Sequence, residues 1–482
     1  LLDKCDDFEL AADHATVLVR DGKRLRAVAA DRAKDSAAPH AGDDAPSRRS
    51  GWLDLNRVRV SVDPRAEWRQ MLHEVWRAQR DHFWVADMSG VDWPAMWQRY
   101  APLLPLVATR AELSDLIWEL QGELGTSHAY EADGDHRKPP PVALGHLAAE
   151  LRWAQGAAGG DDSGSDSGGW ELTHIVRGDA WDAAADSPLN ALGVQARVGE
   201  RIVAVNGQPA SRSCPPQALL VHQAGSKVEL TLASGSGAQC TRRRVLVHTL
   251  ADEVPARYRE WVERHRAWVH AQSEGRVGYL HLPDMLADGF AEFHRYFGTE
   301  CDRDALIVDL RYNRGGHVSE LLLEKVARRR IAYNVPRWGR ATPYPDESAA
   351  GPVVALCNEH AGSDGDIFAH GFKLMGIGPL VGTRSWGGVI GIWPRQRLVD
   401  GTETTQPEYS FWFRDVGWGV ENHGTDPDVE VDNAPQDAAA GCDRQLEAAL
   451  AVALQRAAGR RLELPRLDAR PNLAPPRLPP RR

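Results

Sequence analysis

Two predominantly apolar segments limit the folds open to this chain more than any other feature. Residues 305–310 and 353–357 contain neither Gly nor Pro, and a helical pattern follows each of them, at 317–328 and 366–375. A strand that is apolar along its length is typically buried on both faces, and strands that alternate with helices pair in parallel through crossovers. Together with a further strand at 277–282, these segments predict an α/β domain.

The rest of the chain differs from this pattern. Its 482 residues correspond to about three domains of ordinary size. Composition and periodicity divide it into an N-terminal segment at 1–31, a polar linker at 32–56, a helical region at 57–139, a β-rich region at 140–250, the α/β domain at 251–456, and a basic, Pro-rich tail at 457–482 that is predicted to be disordered.

The first two folded regions have local signatures. Asp21-Gly22 separates two alternating runs, 15–20 and 24–29, which predicts a β-hairpin. A lone hairpin is marginally stable, so we expect it to belong to a larger sheet whose remainder precedes residue 1. Apolar residues at helical spacing predict amphipathic helices beginning near Trp68 and spanning 110–124.

Short strands and turns characterise the β-rich region. Ser187-Pro188-Leu189, a glycine turn, the strand-like run 198–205 and Asn206-Gly207 are similar to a PDZ module in its circularly arranged bacterial form. Within it, the Gly-, Ser- and Asp-rich segment 156–169 is predicted to be a flexible loop.

Composition excludes several function classes. Lys and Arg total 57 against 67 for Asp and Glu, a net charge of −10, which argues against nucleic acid as the main partner. No run of 18 apolar residues predicts a membrane span, and no signal peptide is recognisable, so a cytoplasmic location is expected. The six cysteines form no CxxC, and HExxH and P-loop sequences do not occur, so no metal or other cofactor is expected.

Four segments carry residues suited to nucleophilic chemistry. Ser363 lies between two glycines where a strand turns into a helix, a position that can expose a nucleophile; an ordinary helix N-cap is the alternative. His128 could be the base that a serine requires, and Glu421 could orient it. Taken in isolation, these segments favour a polar surface or capping histidine and an exposed turn. Gly315-Gly316 could present amides to an oxyanion or could be only a turn.

Together these segments resemble the tricorn proteases, members of the tail-specific or C-terminal processing serine peptidase superfamily. The similarity extends over about residues 68–454 and lies in the motifs GTSHAYE, DLRYNRGGHVSE, NEHAGSDGDIFAHGFK, GPLVGTRSWGGVIGI and VENHGTDPDVEV. It implies a multidomain α+β chain: a helical subdomain, a PDZ-like β-rich domain and an α/β sandwich catalytic domain of the ClpP/crotonase type, preceded by a β-hairpin remnant of a β-propeller.

The resemblance also implies roles for six residues: the nucleophile Ser363, the base His128, the further tetrad members Ser127 and Glu421, and the oxyanion-hole amides of Gly316 and Asp364. Glu421 is expected to hold Ser127, which in turn orients His128. The implied activity is hydrolysis of oligopeptides downstream of the proteasome or other ATP-dependent proteases, by a homohexamer. Relatives use an acidic pocket residue to select basic side chains; residues 330–340 contain no acid, which argues against that preference.

Other interpretations stay open. A Ser–Lys dyad would need a lysine after the nucleophile, but the nearby one is Lys373, and the position where related enzymes carry it is Gly388. A noncatalytic ligand- or peptide-binding protein on the same scaffold would not need all four tetrad positions, which are present. The PDZ-like domain could bind extended C-termini or serve as a spacer.

Overall fold

The computed structural model describes residues 5–30, 45–136, 142–155, 168–235, 239–460, 465–466 and 470–476. The chain divides into two units at residue 71. Half of the predicted tail lies outside the described residues, and 470–476 form neither helix nor strand. In the part of the chain that is described, no helix combines the length and apolarity needed to span a bilayer.

The first unit contains a three-stranded antiparallel sheet in the order β1-β2-β3, formed by β1 (Asp7–Leu10), β2 (Thr16–Asp21) and β3 (Arg24–Ala29). The predicted hairpin is confirmed as β2–β3, and β1 adds a strand to it. Residues 51–53 differ from the predicted linker because they run along β3: Ala27 donates to the Gly51 carbonyl, and the Arg24 guanidinium lies 3.8 Å from the Trp52 ring centroid.

Three helices precede the β-rich region: α1 (Pro64–His82), α2 (Trp93–Tyr100) and α3 (Arg110–Gly122). The α3 helix begins with a reciprocal capping box between Thr109 and Glu112, and its predicted apolar face is buried. A short strand, β4 (Glu131–Asp133), follows and pairs with residues 402–404. The segment 123–130 between α3 and β4 is thereby held at both ends, and it contains His128.

The β-rich region forms one antiparallel sheet with strand order β10-β9-β7-β6-β5, with β8 paired to β7. Its elements are β5 (Ala149–Gln155), β6 (Gly168–Ile175), β7 (Arg201–Val205), β8 (Gln208–Pro209), α4 (Pro216–Leu219), β9 (Lys227–Ser234) and β10 (Thr241–His248). Residues 156–167 of the predicted flexible loop lie outside the described residues. The prediction is wrong for its last two residues, Gly168 and Gly169, because they belong to β6 and pair with β5. A Cβ at Gly168 would lie 2.4 Å from the Trp153 ring.

The α/β domain contains a five-stranded, wholly parallel sheet in the order β11-β12-β15-β16-β21. Its strands are β11 (Val277–His281), β12 (Ala305–Asp309), β15 (Val353–Cys357), β16 (Leu380–Gly382) and β21 (Val429–Glu430). Every residue of β11, β12 and β15 is buried, which confirms the predicted apolar strands and parallel pairing. Burial of each large apolar side chain contributes about 1.5–3 kcal/mol.

The remaining elements connect or flank this sheet. They are α5 (Val254–Gln272), α6 (Ala287–Glu300), α7 (Ser319–Val326), β13 (Ala332–Asn334), β14 (Thr342–Tyr344), α8 (Asp364–Leu374), β17 (Gly391–Ile392), β18 (Gln396–Arg397), β19 (Thr402–Thr404), β20 (Pro407–Tyr409), α9 (Pro435–Ala439) and α10 (Arg444–Ala457). The carboxyl ends of neighbouring parallel strands meet at one edge of a sheet. The loops that follow β11, β12, β15 and β16 are therefore gathered at that edge.

A buried ion pair anchors the loop after β12. Arg311 is 2% exposed and bonds Asp309 at 2.8 Å and Asp443, the N-cap of α10, at 2.9 Å. The Arg311 carbonyl bonds Nε2 of His281 at the end of β11. Helix α10 is thus tied to the same loop that leads to Gly316.

Replacing Arg311 should destabilise the α/β domain strongly. Arg311→Met leaves two carboxylates without their shared cation, and breaking a buried pair typically costs about 3–5 kcal/mol. The control is the half-exposed Arg444, which pairs with Asp437 and Glu447, and Arg444→Met should leave the urea midpoint nearly unchanged because solvent screens such pairs. Urea titration followed by near-ultraviolet circular dichroism measures both. Equal losses in the two variants would contradict the assigned role of the buried pair.

Candidate active site

Ser363 lies at the turn between β15 and α8 in a strained conformation, with φ 58° and ψ −122°. Positive φ is uncommon for residues other than glycine and, where it is held in place, often marks a functional turn. The serine occupies the N-cap position, yet its side chain makes no capping hydrogen bond. Its Oγ instead lies 3.1 Å from Nε2 of His128, so the simple N-cap interpretation does not describe it.

His128 comes from the helical region, 235 residues before Ser363 in sequence. Its ring is mostly buried and lies between Tyr130 and Trp386, with centroid distances of 5.5 and 5.6 Å. Thr405 fixes the backbone there, since its hydroxyl donates to the His128 carbonyl at 2.6 Å and accepts from the Tyr130 amide at 2.8 Å. Packing and backbone contacts therefore hold the imidazole at the nucleophile turn.

Ser127 and Glu421 extend this contact. Nδ1 of His128 lies 2.7 Å from the Ser127 hydroxyl oxygen, which lies 3.1 Å from Oε2 of Glu421. The carboxylate can only accept, so the Ser127 hydroxyl donates to it and accepts from Nδ1–H of His128. This hydrogen-bond pattern assigns the lone pair to Nε2, facing Ser363, which is the tautomer a general base needs.

The Glu421 carboxylate is held by backbone amides as well. It accepts from the amides of Ser127 at 2.7 Å, Val389 at 2.7 Å and Ile390 at 3.0 Å. Two segments that are distant in sequence thus converge on one carboxylate. Multiple charge-assisted bonds fix its orientation more firmly than a single contact would.

Burial lowers the pKa of His128 below its ordinary value of 6.5, and the negative charge of Glu421 opposes part of that decrease. Desolvation disfavours the charged imidazolium, whereas a nearby anion favours it. The lowered pKa keeps His128 neutral, and so able to accept a proton, near neutral pH.

The loop after β12 leaves one amide available. Arg314 donates to the Pro283 carbonyl at 3.0 Å, and His317 donates to the Met285 carbonyl at 2.7 Å. Among the described residues, the amides of Gly316 and Asp364 have no hydrogen-bond acceptor. These are the two amides expected to form an oxyanion hole.

Close backbone packing requires glycine at this loop. Gly316 has φ 151°, and a Cβ there would lie 1.9 Å from the Met285 carbonyl oxygen. A Cβ at Gly315 would lie 2.5 Å from Cβ of Ser363. The loop can therefore approach the nucleophile turn only without side chains.

Two buried carboxylates, those of Asp364 and Asp366, follow Ser363 in the first turn of α8. Asp364 accepts from the amide of Ser319 at 3.0 Å and from its hydroxyl, which connects α8 to α7. Asp366 accepts from the amides of Gly387 and Gly388 at 2.8 and 3.2 Å. Burial raises the pKa of both carboxyl groups, and the hydrogen bonds they accept oppose this increase.

A cleft of about 540 Å³ opens over these groups. The cleft is lined by His128, Tyr130, Leu286, Asn313, Arg314, Gly315, Gly316, His317, Glu359, His360, Gly362, Ser363, Trp386, Ile392 and Pro394. Its walls combine apolar and aromatic side chains with several polar ones.

Neither a lysine nor a metal-type cluster lies at this cleft among the described residues. Lys373 donates to the Asp426 carbonyl at 2.6 Å and pairs with Asp428, and the amide of Gly388 bonds Asp366. One group with metal-ligand spacing exists elsewhere, Asp135, His136 and Asp400, and Arg110 already bonds its Asp400 carboxylate at 2.8 Å.

Three of the six residues expected from the sequence, Ser363, His128 and Gly316, line this cleft. Ser127 and Glu421 connect to it through His128, and Asp364 directly follows Ser363. Three further residues support the site but are not predicted from the sequence: Thr405, Asp366 and Asn313. Asn313 and Asp366 lie inside the recognised motifs, where an amide or a carboxylate close to a glycine turn could have drawn attention. Thr405 has no sequence signal, because its contacts come from chain segments more than 270 residues apart.

Sequence profiles of known families match three parts of the chain. Residues 276–431 match peptidase family S41, residues 64–122 match the tricorn protease C1 domain, and residues 156–252 match the tricorn protease PDZ domain. The matched segments follow the order in which the helical region, the antiparallel sheet and the parallel sheet occur.

Curated relatives and a solved structure align with nearly the whole chain. Tricorn protease homolog 1 of Streptomyces coelicolor is 48% identical over 98% of this chain and 42% of its own length. Tricorn protease of Thermoplasma acidophilum is 37% identical over 95% of this chain and 40% of its own length. A crystal structure of the tricorn protease is similar with a TM-score of 0.82 at 36% identity, covering 94% of this chain and 41% of the other. The chain spans about two fifths of the length of these relatives.

The reactivity of Ser363 should depend on pH through His128. We expect its rate of phosphonylation by a fluorophosphonate probe to rise with pH through a midpoint below 6.5, because only neutral His128 accepts the proton. Glu421→Gln removes the charge that raises this pKa, so the midpoint should move to lower pH while the plateau rate falls. Glu403→Gln, at a peripheral pair with Arg397, is the control. A midpoint at or above 6.5, or an upward shift in Glu421→Gln, would contradict the prediction.

Proposed function

The chain belongs to peptidase family S41, within its tricorn type, and we propose that it is a serine peptidase that hydrolyses peptide bonds of oligopeptides. One observation carries the proposal. An unbroken hydrogen-bond path connects Glu421, Ser127, His128 and Ser363, with steps of 3.1, 2.7 and 3.1 Å. It ends beside the amides of Gly316 and Asp364, which have no acceptor among the described residues.

Acylation follows from this arrangement. The Ser363 Oγ attacks the carbonyl carbon of the scissile bond while its proton passes to Nε2 of His128. The carbonyl oxygen gains negative charge and is stabilised by the amides of Gly316 and Asp364. Collapse of the tetrahedral intermediate breaks the C–N bond, and His128 donates its proton to the departing amine, leaving an ester on Ser363.

Deacylation uses the same groups. A water molecule attacks the ester carbon and gives a proton to His128, the oxyanion forms again, and the C–Oγ bond breaks as the proton returns to Ser363. The product leaves with a free carboxyl group. Ser127 and Glu421 stabilise the imidazolium in both steps, because the hydroxyl relays the orienting effect of the carboxylate to Nδ1.

The finer organisation of the chain is part of this proposal. We assign residues 1–31 to the end of a β-propeller, 32–56 to a linker, 57–139 to a helical subdomain that carries the base, 140–250 to a PDZ-like domain, and 251–456 to an α/β sandwich of the ClpP/crotonase type that carries the nucleophile. The resemblance to tricorn proteases supports these assignments.

The same resemblance supports the proposed biological setting. Substrates would be oligopeptides released by the proteasome or other ATP-dependent proteases in the cytoplasm, and the assembly would be a homohexamer. Neither nucleic acid nor membrane is an expected partner. A Ser–Lys mechanism has less support, because Lys373 is bonded to the segment at 426–428.

Ser363→Ala should abolish turnover and retain peptide binding. Loss of a serine-peptidase nucleophile costs up to about 10⁶-fold in kcat, so we expect a decrease of at least about 10⁴-fold for an internally quenched peptide. His128→Ala should likewise remove fluorophosphonate labelling. Peptide-mapping mass spectrometry should locate the label on Ser363.

Two controls match these variants. Ser348→Ala removes another buried serine hydroxyl of the same domain, and Lys373→Met removes the lysine of the alternative dyad. Both should keep labelling within about threefold of the unsubstituted rate, since neither group bonds the tetrad. Wild-type turnover in Ser363→Ala would exclude the proposed nucleophile, and loss of labelling in Lys373→Met alone would favour the dyad.

A further inference from the structure

Asn313 connects three loops at the carboxyl edge of the parallel sheet. Its side chain is fully buried, and Nδ2 donates to the Leu282 carbonyl after β11 at 2.9 Å. Its Oδ1 accepts from the Gly315 amide at 2.9 Å, and its carbonyl accepts from the Gly362 amide at 3.0 Å. One residue therefore bonds the loops that follow β11, β12 and β15.

The bond to Gly315 has a consequence for the next amide. Asn313 draws the Gly315 amide inward, and the Gly315 carbonyl accepts from the Met285 amide at 2.7 Å. Both polar groups of Gly315 are then occupied. The adjacent amide of Gly316 is the one left without an acceptor in this described loop, and it lies at the cleft.

The bond to Gly362 fixes the other half of the site. Gly362 immediately precedes Ser363, and its amide has Asn313 as its acceptor. A Cβ at Gly365, in the first turn of α8, would lie 2.9 Å from Oδ1 of Asn313. The same residue therefore supports the nucleophile turn by a hydrogen bond and by close packing.

We propose that Asn313 is a positioning residue that sets the oxyanion-hole amide of Gly316 relative to Oγ of Ser363. This inference rests on the proposed peptidase function. The side chain of Asn313 acts through Gly315 and Leu282, because its polar atoms are already bonded to them within the protein. The bond to Gly362 is made by the Asn313 backbone carbonyl. Its role needs both a donor and an acceptor on one short side chain, which asparagine supplies and aspartate or alanine does not.

Asn358 provides a matched control. It is also nearly fully buried, follows the neighbouring strand β15, and its Oδ1 accepts from the amides of Tyr312 and His360 at 3.0 and 3.2 Å. Its side chain bonds neither Gly315 nor Gly362. A loss that arises only from removing a buried amide should therefore be similar in Asn313→Ala and Asn358→Ala.

The experiment separates positioning from stability. For each variant we would measure kcat and KM with an internally quenched peptide, kinact and KI with a fluorophosphonate probe, and the thermal midpoint. Misplacing an oxyanion-hole donor costs about 10²-fold, so Asn313→Ala should lower kcat and kinact by about 100-fold with KM and KI within about threefold. Asn358→Ala should lower kcat by less than about fivefold despite a comparable thermal shift.

Conservative variants keep the inference testable if Asn313→Ala does not fold. Asn313→Asp retains an acceptor for Gly315 but loses the donor to Leu282, so we expect about a tenfold decrease in kinact, against less than about threefold for Asn358→Asp. The proposal is overturned if the Asn313 and Asn358 variants lose kcat or kinact equally, or if the loss appears only in KM.

The outcomes also separate this inference from the proposed function. If the unsubstituted protein shows no Ser363-dependent labelling or turnover, the peptidase proposal fails, and the positioning role fails with it. If the unsubstituted protein is active and the Asn313 variants match their Asn358 controls, the positioning role alone is wrong.

Discussion

The parallel pairing of β12 with β15 is the constraint on which the rest of the site depends. Leu306 to Asp309 pair in register with Val353 to Leu356, and the amide of Leu310 continues the ladder to the Leu356 carbonyl. Because both strands run in the same direction, the Gly315-Gly316 loop and the Ser363 turn leave the sheet side by side. Asn313 then joins them through Gly362. Both faces of these strands are buried, so a one-residue slip in register would exchange side chains of different volume between two packed faces. The close packing of the core therefore maintains this alignment.

A second dependence involves the loop at 385–390. Its successive amides serve two buried or half-buried carboxylates: Gly387 and Gly388 bond Asp366 of the nucleophile helix, and Val389 and Ile390 bond Glu421. Unpaired carboxylates at these positions would be costly to bury, so the loop conformation and the two carboxylates stabilise one another. This is how Ser363, contributed by the α/β domain, and His128, contributed by the helical region, share a single fixed geometry.

Much of the fold was predictable because its signals are local. The apolar strands 305–310 and 353–357, the helices after them and the Asn206-Gly207 turn follow from periodicity and turn chemistry, and all occur close to the expected positions. The errors arose where a local rule was overridden by contacts with other segments. Gly168 and Gly169 have the composition of a linker, yet they pair with β5, and residues 51–53 lie along β3 because Trp52 packs on Arg24. A segment that is poor in large apolar side chains can be predicted as a linker from its composition. Composition does not show, however, whether the backbone of its glycines pairs with a neighbouring strand.

By itself the sequence determined the types of elements, their order and the short motifs that hold Ser363, His128, Ser127 and Glu421, because strand burial, turns and residue chemistry are read over a few neighbouring positions. Only the tertiary structure decided that the Ser363 side chain makes no capping hydrogen bond and that His128 has its lone pair toward Ser363. It also decided that the Gly316 amide has no acceptor among the described residues. Each of these depends on partners tens to hundreds of residues away, whose hydrogen bonds exist only once the chain has folded.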